Sequence, residues 1–261
     1  MIDNVPLLTV ALLCLAAGVS GWIDSVAGGG GVIQLPALLI GLPTLPVATV
    51  SGTSKLAGFV ATVTASATYL SRVRISWRTV LAVAPTAYIG ASIGATLIRY
   101  VPRAAYTPVI IVVVAVVGFY TWRRPQLGQA TSLLHRGTAH WVIAISIGLV
   151  CGLWDGLVGP GTGTFLTISF VALLGYEFLQ ATAMAKVVNM VTNIAALVVL
   201  GTAGHVLWGV GGCMAVCSIT GAAIGSRMAV NRGNHFIRVV FLVVVTLVEV
   251  KLIFDMVTQY L

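Results

Sequence analysis

Residues 24–31 read DSVAGGGG, and 131 positions after the first of them, residues 155–163 read DGLVGPGTG. Glycine lets the backbone leave a helix, and Pro160 cannot donate a helical hydrogen bond. Each of these two glycine-rich stretches therefore predicts a break within an apolar segment, followed by the start of a short helix. A plain tight turn between packed helices is the alternative interpretation.

The same offset of 131 residues aligns the two halves of the chain without a gap. It superposes scarce residue types, namely Asp24 on Asp155, Lys55 on Lys186 and Trp77 on Trp208. In an apolar chain, glycines often align with glycines by chance. The scarce residues Asp, Lys and Trp rarely align at a single offset unless the halves are related. The sequence thus predicts an internal duplication, with residues 1–130 and 131–261 as its repeats, an arrangement often found in transporters.

The composition excludes most soluble classes of protein. Of 261 residues, 59% are hydrophobic and 8% are charged, whereas soluble domains are about 25% charged. A soluble enzyme, a nucleic-acid-binding protein and a disordered chain are therefore excluded. The net charge of +8 comes largely from arginines between apolar segments, as the positive-inside rule expects. We predict an all-α, multi-pass protein of the plasma membrane with the lipid bilayer as its environment.

Eight apolar segments are long enough to cross a bilayer core of ~30 Å. They cover residues 6–25, 47–71, 79–99, 104–122, 138–157, 180–203, 207–228 and 236–258. The first is read as a retained helix, because no convincing signal-peptide cleavage site follows it. Two shorter apolar pieces, 31–45 and 163–176, are either short crossings or re-entrant half-helices.

The arginines indicate how the repeats are oriented. If the short pieces do not cross, six arginines face one side and five the other. If they do cross, nine arginines share a side: Arg72, Arg74, Arg78, Arg123, Arg124, Arg136, Arg227, Arg232 and Arg238. Only Arg99 and Arg103 oppose them. This asymmetry favours ten crossings. Five crossings per repeat make the repeats inverted, with both termini outside.

Lys55 and Lys186 lie deep in apolar segments, where an isolated lysine costs about 2.5–3.5 kcal/mol on insertion scales. Snorkelling explains one such lysine near a helix end, but less readily two at equivalent positions. We therefore expect them to bind an anion near the membrane centre. Polar neighbours predicted to complete the site are Ser51, Thr53 and Ser54 in the first repeat and Asn189 and Asn193 in the second. Interhelical hydrogen bonding is the alternative for these residues.

The helix starts after the glycine-rich stretches also favour an anion, since main-chain N–H groups and the positive end of the dipole point toward it. The residues concerned are Gly29, Gly30, Gly31, Gly161, Thr162 and Gly163. Asp24 and Asp155 have two open interpretations. They carry a coupled proton, because an apolar environment favours the neutral carboxyl, or they pair with lysine or cap a helix start.

Enzymatic motifs and metal sites are not indicated. The sequence has no H-E-x-x-H or G-x-S-x-G motif. Ser51 and Lys55 would suit a Ser–Lys nucleophile pair, but the second repeat has Thr182 at the serine position. The four cysteines lie inside apolar segments without metal-ligand company. We therefore expect no enzyme activity, no cofactor and no bound metal.

The whole pattern resembles the TauE/SafE sulfite-exporter family, also called the toluene-sulfonate uptake permease family. The resemblance rests on GGGGVIQLPALL (28–39), GLP (41–43), GTSK (52–55), RISW (74–77), GPGTG (159–163) and AKVVN (185–189). It implies a secondary transporter, as an exporter, of small sulfur-containing anions such as sulfite, sulfoacetate or other organosulfonates. Two alternative functions remain open, a carrier for another small anion and a passive anion channel. Assembly as a homodimer is also open.

Overall fold

The computed structural model describes residues 1–101, 131–135 and 137–260. Every named element in this part of the chain is helical. The expected all-α architecture is therefore confirmed. The predicted apolar segment at 104–122 and the arginines at 103, 123, 124 and 136 lie outside the described residues.

Among the described residues, eight α-helices form two series of four. The first series is α1 Leu7–Ala27, α2 Gly31–Gly41, α3 Val47–Leu70 and α4 Trp77–Leu97. The second series is α5 Thr138–Leu157, α6 Thr162–Ser169, α7 Phe178–Thr202 and α8 Trp208–Tyr260. Each helix of the second series begins 131 residues after its counterpart in the first. The helix boundaries thus repeat at the offset found in the sequence.

Two local departures from the α-helix follow from the sequence. A π-helical turn, Phe170–Leu174, extends α6 and ends at Gly175, whose φ is 84°. Gly233 has φ 71° inside α8 and separates its two apolar parts, which were expected as the separate segments 207–228 and 236–258.

Pro6 and Pro46 stand immediately before α1 and α3, where a proline loses no helical hydrogen bond.

Five helical segments of the described chain are long and apolar enough to cross a membrane: Leu7–Ala27, Trp77–Tyr100, Thr138–Leu157, Phe178–Thr202 and Trp208–Val240. Helix α3 has 24 residues, but its serines, threonines and Lys55 make it less apolar. Helix α2 has only 11 residues and reaches about 16 Å, roughly half of a bilayer core. The protein is thus a multi-pass membrane protein with short helices after both glycine-rich stretches.

The two repeats interlock. Helix α1 packs along α8 of the other repeat, and α4 packs along α5. The contacts correspond under the repeat offset: a Cβ atom at Gly90 would lie 2.4 Å from the main-chain oxygen of Leu149, and one at Gly221 would lie 1.9 Å from that of Gly18. Only glycine permits such close backbone approach. Helices α3 and α7, which carry the two lysines, also contact each other across the repeats. The inverted membrane orientation remains a prediction.

Candidate functional site

Two ion pairs cross between the repeats. The Nζ atom of Lys55 lies 2.7 Å from Oδ2 of Asp155, and Nζ of Lys186 lies 2.9 Å from Oδ2 of Asp24. Each lysine is the ninth residue of its helix, α3 or α7, and each aspartate lies near the C-terminal end of α1 or α5. The repeat offset converts one pair into the other, so every pair joins the first repeat to the second.

These contacts bear on two of the interpretations left open, the snorkelling of the lysines and the capping of a helix start by the aspartates. The lysine side chains are only 6% and 0% exposed and end on carboxylates, so neither snorkels toward a helix end. Neither aspartate caps a helix start, because Gly30 and Gly161 occupy those positions without a side-chain cap. Buried charges require pairing, and each aspartate supplies the counter-charge for a lysine that would otherwise be unpaired.

A small polar cavity of about 50 Å³ lies beside the ion pairs, enough for a few water molecules. Most of the residues predicted from sequence line it: Lys55, Ser51, Ser54, Asn189, Asn193, Gly31, Gly161, Thr162, Gly163, Asp24 and Asp155. The structure therefore brings together the lysine helices and both glycine-rich stretches, although they are distant in sequence.

Four predicted residues lie away from the cavity wall: Lys186, Thr53, Gly29 and Gly30. Lys186 contacts the cavity only through Asp24, which is on the wall. Thr53 is fully buried; its hydroxyl donates to the main-chain oxygen of Thr49 and accepts from the N–H of Leu207. Its role in the structure is thus to connect α3 with the start of α8.

Several cavity residues were not singled out from the sequence, including Ser20, Gln34, Gly58 and Thr62. The side-chain amide of Gln34 donates to the main-chain oxygen of Ser54 at 3.2 Å, and its oxygen lies 3.1 Å from the Ser20 hydroxyl. These bonds fix Gln34 on the wall. The sequence did contain a signal for Gln34, since it is a glutamine within the apolar α2. A buried amide needs hydrogen-bond partners, which points to a polar site nearby.

The second repeat contributes a pair of amides. Asn193 donates from Nδ2 to the main-chain oxygen of Asn189 at 2.8 Å, and both residues line the cavity. Gly58 of α3 faces them, since a Cβ atom there would lie 3.3 Å from Oδ1 of Asn193. The absence of a side chain at Gly58 therefore leaves room for the Asn193 amide between the two lysine helices.

The glycine-rich stretches meet at the cavity. Gly28 ends α1 with φ 83°, and Gly159 and Gly161 have φ 89° and 83° between α5 and α6, a conformation that glycine adopts without steric cost. A Cβ atom at Gly28 would lie 2.3 Å from the carbonyl carbon of Gly163. The start of α6 lines the same cavity as Lys55 and Asp155, and the positive end of a helix dipole favours an anion.

The cavity wall offers an ion-paired lysine, amides, hydroxyls and the start of α6, a set of groups suited to a small oxyanion. Among the described residues, no group of three or more His, Cys, Asp or Glu side chains is placed to hold a metal ion. In comparison with known proteins, the family described as Sulfite exporter TauE/SafE matches residues 13–252. The chain belongs to the TauE/SafE sulfite exporter family.

Curated relatives match this TauE/SafE chain over nearly its whole length. A probable membrane transporter protein of a Sinorhizobium species is 34% identical, covering 94% of this chain and 93% of its own. The probable membrane transporter YfcA of Escherichia coli K12 is 31% identical over 95% and 91%. One from Haemophilus influenzae is 29% identical over 94% and 95%. No solved structure matches the chain. The TauE/SafE protein is thus a membrane transporter.

Proposed function

We propose that this transporter exports small sulfur-containing anions, such as sulfite, sulfoacetate or other organosulfonates, by alternating access with proton coupling. The observation that supports the proposal is the pair of crossed Lys–Asp contacts beside a polar cavity between the repeats. Family membership supports a sulfur oxyanion as substrate.

The charge balance of the site suggests how an anion binds. Two lysines and two aspartates sum to no net charge, and partly desolvated charges interact more strongly than charges in water. An incoming anion competes with an aspartate for its lysine. Protonation of the displaced aspartate removes the resulting negative charge. Anion and proton then occupy the site together and move in the same direction.

The interlocked helices suggest how access alternates. Substrate sites of transporters with repeated halves lie at the repeat interface, near interrupted helices. Here the ion pairs and the Gly28–Gly163 contact all join opposite repeats. A change in the protonation or partner of either aspartate alters a contact between the repeats. Binding is thereby linked to their relative movement.

Transport by purified protein in liposomes tests this function. Sulfoacetate is the suitable probe, because its charge is constant near neutral pH, whereas that of sulfite changes. An imposed gradient, acidic inside, should drive internal sulfoacetate outward against its own concentration gradient. Equilibration without accumulation would identify a passive channel. No movement of sulfoacetate or sulfite, with transport of another small anion, would reject the sulfur substrate class.

A further inference from the structure

We propose that the two equivalent lysines have different roles: Lys55 is the direct ligand of the transported anion, and Lys186 is a structural cap on the C-terminal end of α1. This inference rests on the proposed function and assigns separate roles to two residues of the same site. It predicts that Lys55 and Lys186, although equivalent in the two repeats, contribute unequally to substrate binding.

Lys186 is engaged with the main chain as well as with a carboxylate. Its Nζ atom donates to the main-chain oxygen of Asp24 and, at 2.9 Å, to Oδ2 of the same residue. The side chain is fully buried and does not line the cavity. The oxygen of Asp24 already accepts the N–H of Gly28 at 2.8 Å, so Lys186 adds a second donor there, and its charge opposes the negative end of the helix dipole.

Other donors hold the same helix end. The Tyr69 hydroxyl donates to the oxygen of Ser25 at 2.8 Å. Thr164 donates from its hydroxyl to the oxygen of Ala27 at 3.0 Å and from its N–H to the oxygen of Gly28 at 3.3 Å. Helices α3, α6 and α7 therefore all cap the C-terminal end of α1, and Lys186 is one member of this capping group.

The second repeat does not preserve the capping group. The repeat offset places Leu200 at the Tyr69 position and Ile33 at the Thr164 position, and neither side chain has a hydrogen-bond donor. Lys55, the counterpart of Lys186, instead lines the cavity together with its partner Asp155. Its equivalence with Lys186 in sequence thus does not extend to its surroundings.

The Lys55–Asp155 pair is also the one suited to exchange. Its atoms lie 2.7 Å apart, yet within the described structure no donor is aligned for a hydrogen bond to Oδ2 of Asp155. An anion that replaces this carboxylate at Lys55 exchanges one ionic contact for another. Displacing Asp24 from Lys186 would instead disrupt the capping of α1.

The first repeat, which supplies Lys55, contributes three polar wall side chains that have no hydroxyl or amide counterpart in the second repeat. The wall residues Ser20, Gln34 and Ser54 have Cys151, Phe165 and Ala185 at the equivalent positions. The hydroxyls of Ser20 and Ser54 and the amide of Gln34 thus lie on the wall that they share with Lys55. The asymmetric wall thus agrees with the asymmetric environments of the lysines.

Neutralising each pair separately tests the inference, because removing both charges leaves no unpaired buried ion. Sulfite is titrated calorimetrically into the full-length protein and into Lys55→Met/Asp155→Asn and Lys186→Met/Asp24→Asn. The first variant should bind sulfite about tenfold or more weakly, as expected for losing a hydrogen bond to a charged group. The second should lose less sulfite affinity than the first, although Asp24 is on the cavity wall, and should unfold at a lower temperature in detergent because α1 loses its cap.

Equal losses of sulfite affinity in both variants, or a greater loss in the second, would overturn the division of roles while leaving the proposed function intact. Absence of sulfite binding by the unmodified protein would overturn both. If a neutralised variant fails to fold, Lys55→Arg and Lys186→Arg keep the charge and give the same comparison. Lys55→Arg should change sulfite affinity, because the guanidinium differs in donor geometry, whereas Lys186→Arg should change only the unfolding temperature.

Discussion

The ammonium group of Lys55 in one repeat lies 2.7 Å from the carboxylate of Asp155 in the other. Helix α3 is thereby connected with the end of α5, directly before the second glycine-rich stretch. The ionic state of one side chain therefore affects a contact between the two repeats. The Lys186–Asp24 pair makes the corresponding connection from α7 to α1.

The aspartates are expected to set the pH dependence of transport. Asn cannot take up a proton, so if Asp24 or Asp155 carries the coupled proton, at least one of Asp24→Asn and Asp155→Asn should make sulfoacetate transport respond less to pH than in the unmodified protein. Initial rates in liposomes over a pH series measure this. Asp3→Asn is the control, because Asp3 accepts the N–H of Val210 and lies apart from the cavity. Unchanged pH profiles in both single variants and their double variant would rule out these proton carriers.

Close helix contacts at glycine should limit substitution in both repeats alike. Ala at Gly90 or Gly221 would place a methyl group 2.4 Å or 1.9 Å from a main-chain oxygen. Such overpacking costs about 1–3 kcal/mol, so both variants should unfold at lower temperature in detergent. Gly212→Ala is the control on α8, since nothing lies within 4 Å of a Cβ atom there. Three indistinguishable unfolding temperatures would contradict the described packing.

Gln34 is expected to contribute to anion binding through its position on the cavity wall. Gln34→Leu keeps the approximate size and removes the amide, so sulfoacetate affinity should fall about two- to tenfold, as for the loss of one neutral hydrogen bond. Calorimetric titration measures the change. Gln180→Leu is the matched control, because Gln180 bonds to the oxygen of Arg74 outside the cavity. If Gln180→Leu lost as much sulfoacetate affinity as Gln34→Leu, or more, Gln34 would have no specific role in anion binding.

The inverted orientation of the repeats predicts that positions 74 and 205 face opposite sides of the membrane. These positions are equivalent under the offset and follow the ends of α3 and α7. Single cysteines at each, introduced after replacement of the four native cysteines, can be labelled with an impermeant maleimide on intact cells. Only one should react before the cells are opened. Labelling of both from the same side would reject inversion.

Sequence alone predicted the elements that repeat and the charged residues within them. The offset of 131 residues places the start of every second-series helix, and scarce Asp and Lys residues marked the site, because few charges occur in apolar helices. The membrane location and the TauE/SafE family also followed from the sequence. These features depend on composition and local patterns, which can be read without knowing how the helices pack.

The crossing of the ion pairs could not be predicted, because it depends on which helices become neighbours. The sequence left Asp24 and Asp155 equally suited to proton transfer and to pairing or capping, and packing of opposite repeats decides their partners. The rotation of α3 likewise places Ser54 on the cavity wall and turns its neighbour Thr53 toward Leu207. Adjacent helical residues face different directions, so a cluster in sequence does not make a cluster in space.

The central claim, that a small sulfur oxyanion binds in the cavity between the repeats, is tested most directly by protection of a cysteine on its wall. Ser54→Cys lines the cavity, and Ser71→Cys lies at the exposed end of α3, each in a chain without native cysteines. Sulfoacetate should slow alkylation of Cys at 54 by iodoacetamide and leave alkylation at 71 unchanged, whereas taurine, which lacks the net charge, should protect little. Equal alkylation rates at position 54 with and without sulfoacetate would contradict the account.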